Sequence, residues 1–155
     1  MGVIRAFDGT TAPFLAPREA YPARVVPLIP DEELDNTAVR WHHEGDENTL
    51  QMFEMRVAPN TRLAPHAHDA SEIIAVIEGE LLVGRKSYGV GSSLFVEGGT
   101  VYSVTAGPAG CRFLNFRAAA DKTYYTAAQQ RERMKESRSR DTRSEPGDPK
   151  PPEGA

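Results

Sequence analysis

Between Arg40 and Arg117 apolar and polar positions alternate in short stretches separated by turn residues, a period that predicts β-strands and not helices. Strands are expected over 40–43, 50–57, 73–78, 81–83, 93–96, 102–105 and 112–117. The breaks fall at Pro59-Asn60, Glu78-Gly79-Glu80, Gly84-Arg85, Gly89-Val90-Gly91, Glu97-Gly98-Gly99 and Gly107-Pro108, residues that supply turn geometry their β-branched neighbours cannot. Short strands at regular spacing imply a sandwich or barrel. No solenoid-period repeat and no βαβ alternation is visible.

On either side the pattern changes. The first thirty residues carry prolines at 13, 17, 22, 27 and 30, which predicts an extended arm packed on a barrel or along its edge. Arg24-Val25-Val26 reads as an edge strand, and Asp31-Glu32-Glu33-Leu34 as one helical turn without chemistry. After Thr126 apolar residues become scarce. A short charged helix over 126–138 is expected, with Glu132 and Glu136 one turn apart, and the Pro- and Ser-containing end should be disordered. The resulting division is an arm over 1–38, a barrel over 39–120 and a charged tail over 121–155.

At 155 residues, with 13 Gly and 12 Pro, the chain has the length of one domain and the composition of a protein with many turns. Its single cysteine, Cys111, cannot form an internal disulfide, and the first residues lack the apolar core of a secretory signal, so a cytoplasmic protein is expected. No apolar run is long enough for a membrane-spanning helix. Net charge is −4, with the acidic excess on the body of the chain, which argues against nucleic acid or an anionic membrane as the partner.

Candidate chemistry centres on His66 and His68. Two residues apart on a strand, they point to the same face and one metal can reach both. Glu72 heads the apolar run Ile73-Ile74-Ala75-Val76-Ile77, so its carboxylate starts at the edge of a buried region and needs a cation or hydrogen-bond donors. Two imidazoles and a carboxylate suit iron(II), manganese, zinc, nickel or copper as a divalent ion with positions left for substrate or water.

These residues resemble the cupin family. Asn60, five residues, His66-Ala67-His68, three residues, Glu72, six residues and Gly79 reproduce the first cupin motif, with Asn60 in place of the usual Gly. Asn is the substitute best suited to a turn position with positive φ. The second motif follows as Gly91, five residues and Glu97-Gly98-Gly99, with Tyr102 where the family usually has a histidine. The resemblance implies a double-stranded β-helix, an all-β jelly-roll barrel, with the arm and tail outside it.

No histidine follows His68, so the usual fourth ligand is absent from the second motif. Several readings stay open: Tyr102 as an acid or substrate contact beside a metal held by His66, His68 and Glu72; Tyr102 as a phenolate ligand; Tyr102 as barrel filling; or a site that binds no metal. The ordinary phenol pKa near ~10 favours the first. His42 and His43 are adjacent on a strand, so at most one can face inward as the missing ligand or a base, and an exposed pair is expected. Gln51, Phe53 and Met55 share one strand face, Glu54 and Arg56 the other, and period alone does not say which is inside. Asn115 can face the pocket, and Cys111 reads as a structural thiol.

The resemblance implies a metalloenzyme of the dioxygenase, isomerase, lyase or cyclase kind acting on a small organic molecule. The alternative is a binding or sensing cupin, separated from an enzyme by a pocket closed with apolar side chains such as Phe95, Phe113 and Phe116. A second copy of the chain is a candidate partner.

Overall fold

The computed structural model describes residues 2–143. Eight strands form one antiparallel assembly: β1 (Thr37–His43), β2 (Gln51–Val57), β3 (Arg62–Ala67), β4 (Glu72–Val83), β5 (Lys86–Gly89), β6 (Ser93–Val96), β7 (Tyr102–Arg117) and β8 (Tyr125–Thr126). The path β1-β2-β7-β3-β8 is completed by β4, which pairs with β5, β6 and β7. The long strands β4 and β7 hold the fold together. One half of β7 lies against β2 and the other against β3, while β4 follows β7 along most of its length.

Both long strands run through positions where the sequence predicts a turn, because the turn residues act as bends within a strand. The β4–β7 register shifts between Gly79 and Leu81, whose partners are Cys111 and Ala106. The residues 107–110 are thereby left out of the ladder, which is where Pro108, with no N–H to donate, is tolerated. Gly79 sits at φ +69°, and a Cβ built there would lie 2.1 Å from the carbonyl oxygen of Gly110, so only glycine permits the bend. Asn60, at φ 59°, is the one non-glycine residue with positive φ among the described residues, as its place in the first motif requires.

Inside the barrel, Val39, Phe53, Met55, Leu63, Ile74, Val76, Leu81, Val104 and Phe113 form the main core. Phe53 and Met55 thus settle which face of β2 is inward. Glu54 is on the other face, where it is buried against Arg40 (2.7 Å), Arg112 (2.8 Å) and His42 (3.0 Å). His42 also stacks on Phe7 and His43 is exposed, so neither enters the barrel.

The arm is less extended than expected. It contains α1 (Pro17–Ala20), a 3-10 turn over Val26–Leu28 and α2 (Asp31–Asp35), and it touches the sheet through the Leu15–Val39 bridge. The expected edge strand at Arg24-Val25-Val26 does not form. Val25 and Val26 instead enter the 3-10 turn, since Pro22 and Pro27 remove donors a ladder would need, and Val25 joins Ile29 and Leu34 in a separate small core. That cluster packs against Tyr21 and Tyr124 and closes one end of the barrel.

At the other terminus α3 (Ala127–Asp141) begins with a capping box between Thr126 and Gln129 and extends a little beyond the predicted helix. The segment expected to be disordered at its end lies, from residue 144 on, outside the described residues. No helix among the described residues is long and apolar enough to cross a membrane.

Gly79→Ala should lower stability on the order of 3 kcal/mol, since the new methyl must displace backbone at a left-handed position. Urea unfolding followed by circular dichroism measures it, and a wild-type midpoint would show that the β4 bend tolerates a side chain.

Candidate functional site

The cavity between barrel and arm encloses about 80 Å³, several times what one water requires. Its walls are largely apolar, with the aromatic residues Tyr21, Trp41, Phe53, Tyr102, Phe113 and Tyr124 among them. His66 and His68 line it together with Arg117 and Glu33. Phe113 is part of the wall, but Phe95, 71% exposed, and Phe116, 38% exposed, stand on the outer surface.

β3 delivers the two imidazoles. Its pairing with β7 is interrupted between Leu63 and His66, at Ala64 and the donor-less Pro65. The freed groups of Ala64 are taken by side chains: its N–H donates to Glu33 Oε2 (2.7 Å) and its carbonyl accepts from His66 Nδ1 (2.7 Å). His68 Nδ1 likewise donates to the carbonyl of Thr123. A carbonyl can only accept, so both rings carry their proton on Nδ1 and keep the Nε2 lone pair uncommitted. The rings are edge to face with centroids 4.9 Å apart, and Tyr124 stacks on His66.

Burial, and next the charge of its neighbour His68, pushes His66 down to about 4. His68 is lowered by burial and then by Arg117. Both are neutral imidazoles at neutral pH, the form that binds a metal or accepts a proton.

Glu72, 2% exposed, is held from three sides. Its Oε2 accepts from Arg117 Nε (3.1 Å), Arg117 Nη2 (2.9 Å) and Asn115 Nδ2 (2.8 Å), and Oε1 accepts from the Tyr102 hydroxyl. Burial alone would raise the Glu72 carboxyl, but Arg117, His68 and these donors outweigh it and hold it below the ordinary range. Tyr102 is pushed well above its ordinary value by burial and by the Glu72 charge, which keeps it a protonated donor. Asn115 Oδ1 alone, of the buried side-chain nitrogens and oxygens described, has no hydrogen-bond partner.

His66, His68, Glu72 and Tyr102 are therefore gathered at one end of the barrel. Among the described residues, however, no three His, Cys, Asp or Glu side chains are grouped as a metal cage. The donor chemistry still fits a divalent ion in one respect: two neutral imidazoles offer free Nε2 atoms beside an ionised carboxylate whose Oε1 carries a single hydrogen bond.

The second-motif loop supports this end of the site through its backbone. Gly99 N–H donates to the carbonyl of His68 (2.8 Å) and Gly98 N–H to Ser71 Oγ (3.0 Å). A Cβ on Gly98 would lie 2.2 Å from the carbonyl oxygen of Asp69. Residues 121–126, placed with the tail in the sequence reading, are also built in. Asp121 Oδ2 accepts from Ala70 N–H, its carbonyl accepts from Arg117 Nη1, and β8 pairs with β3 at His66 and Ala67.

Cys111 is buried and its thiol is raised by burial to about 11, as a structural residue requires. Two participants escape the sequence reading. Arg117 continues the inward face of Phe113 and Asn115 at strand period, a signal present in the sequence. Glu33 has no such signal. The fold of the arm brings this residue of α2, expected to be a helical turn without chemistry, to the cavity wall. Burial raises its carboxyl to about 7, against the lowering effect of the Ala64 N–H.

No protein-family model matches the chain, and no curated protein matches its sequence. Solved structures do match. The polyketide cyclase RemF from Streptomyces resistomycificus superimposes with a TM-score of 0.61 at 20% identity, over 86% of this chain and 94% of that one. A protein of unknown function with a cupin-like fold from Ralstonia eutropha superimposes with a TM-score of 0.58 at 14% identity, over 91% of this chain and 90% of that one. The curled antiparallel sheet with inward histidines is thus a cupin fold.

Arg117→Met should cost about 3–5 kcal/mol at neutral pH by leaving Glu72 buried without its cation. The deficit should shrink in acid, because the unpaired carboxyl can then be buried as the neutral acid. Glu33 has the opposite sign. Its proton is retained in the folded chain up to about pH 7 and in the unfolded chain only to about 4.5, so its stabilising share is full below 4.5 and lost as pH rises to 7. Glu33→Gln should therefore exceed wild type above that pH, by on the order of 3 kcal/mol, with the gap closing in acid. Paired denaturant titrations at several pH values measure both; a pH-independent difference would remove the titration account.

Proposed function

We propose that this chain is a cupin metalloenzyme acting on a small organic metabolite bound in the barrel cavity. The observation that carries the reading is the pair His66 and His68, each neutral, each fixed through Nδ1 to a main-chain carbonyl, and each with Nε2 uncommitted. His66 and His68 would hold a divalent ion of iron, manganese, zinc, nickel or copper, with Glu72 as the carboxylate of the set. Such an ion supplies a Lewis acid that polarises an oxygen of the bound molecule.

The other groups work on orientation and protons. Arg117 keeps Glu72 ionised and, together with Asn115, fixes one of its oxygens. Tyr102 stays protonated and donates its single O–H to the other oxygen, so its own oxygen can accept a hydrogen bond from a ligand, and a proton can be exchanged through Glu72. The apolar and aromatic walls favour a planar or apolar ligand body. The same apolar walls are what a non-catalytic ligand-binding cupin presents, and turnover separates the two readings.

Protein purified without added metal should carry close to one divalent ion per chain by elemental analysis, and His66→Ala and His68→Ala should lose it. Tyr102→Phe should retain the metal and lose turnover, or ligand affinity in a binding protein. Metal content that stays far below one per chain after reconstitution would defeat the metalloenzyme reading. Metal loss in Tyr102→Phe would make the phenol a ligand.

A further inference from the structure

Glu33 is more than a cap for a strand. The Ala64 N–H occupies only Oε2, a task an amide oxygen performs equally well. The other oxygen, Oε1, has no hydrogen-bond partner among the described residues and is not sealed off, and the residue lines the cavity while only 6% exposed. Among the described residues no ion pair reaches it. A buried carboxyl left in this state is costly unless something in the cavity satisfies it.

The surroundings restrict what that can be. An organic cation would have to give up its water to largely apolar walls. An organic anion would face Glu33 itself. A neutral hydrogen-bond donor meets neither objection, and the aromatic side chains around it suit a flat ring.

We infer that Glu33 is a specificity-determining carboxyl of this cavity, accepting a hydrogen bond from the hydroxyl of a neutral aromatic ligand. The inference rests on the reading that the cavity binds a small organic molecule, and it adds the class of that molecule and the residue that selects it. The groups facing Glu33 are the Tyr21 and Tyr124 phenols and the Ala64 N–H, while Asp31 and Asp35 of its own helix are tied to Arg18. Near neutral pH the carboxyl is close to its midpoint, so it can accept from a hydroxyl when ionised and donate to an oxygen when protonated.

Trp41, the only tryptophan of the chain, lines the cavity and reports occupancy by fluorescence quenching. The probes are 4-nitrophenol and 4-nitroanisole, equal in shape apart from the methyl that removes the donor. Wild type should bind the phenol at least about tenfold more tightly than the ether, one buried hydrogen bond to a charged group. The bound phenol should also remain protonated to higher pH than in water, as its own absorbance shows. In Glu33→Gln, which keeps an oxygen for Ala64, the preference should fall to within about twofold, with ether affinity unchanged.

Equal binding of the two probes to wild type, or a preference that survives in Glu33→Gln, would overturn the assignment and leave the small-molecule reading intact. Failure of both probes to quench Trp41 would overturn this inference and remove the support for an aromatic ligand, while the metal measurement above decides the remainder separately.

Discussion

The buried ion pair between Glu72 and Arg117 is the constraint around which this end of the barrel is arranged. Two charges removed from water are tolerable only if nearly every remaining lone pair and proton is used. The strands are arranged accordingly. β4 brings Glu72 opposite Arg117 of β7, Asn115 adds a donor from the same inward row, and Tyr102 arrives from the far end of β7. Arg117 also donates from Nη1 to the carbonyl of Asp121, which fixes the loop whose Thr123 carbonyl holds His68. One ion pair thus orients both the carboxylate and one of the imidazoles.

That arrangement also decides the protonation of the site. Arg117 stabilises the negative charge of Glu72 and disfavours a positive charge on His68. The result is an ionised acid, neutral imidazoles and a protonated phenol in one desolvated space. These are the states the side chains hold at neutral pH at their ordinary pKa values; the lowered imidazoles and carboxyl and the raised phenol extend them over a wider pH range, and metal binding, proton transfer and hydrogen bonding to a ligand are all accessible from them.

Much of this was legible in the sequence. The inward pair His66 and His68 follows from strand period, the positive φ of Asn60 from its chemistry, and the barrel from the spacing of short strands and turns. The continuity of β4 and β7 was hidden because glycine marks a bend in a strand and a turn between strands with the same signal. The inward row of β7 was recoverable by period, yet an arginine on an apolar strand reads as surface until its partner is known. Glu33 could not be read at all. Its place depends on how the proline-rich arm folds back, and on a register slip at Ala64 and Pro65 that leaves an N–H for it to cap.

The arm packs on its own small core of Val25, Ile29 and Leu34, apart from the main core of the barrel. The histidines and Glu72 stand on one of these units and Glu33 on the other. Evolution can therefore revise the arm, and with it the shape and polarity of one cavity wall, without repacking the strands that carry the histidines and Glu72. Related barrels with dissimilar arms would then share their inner chemistry and differ in the molecules they admit.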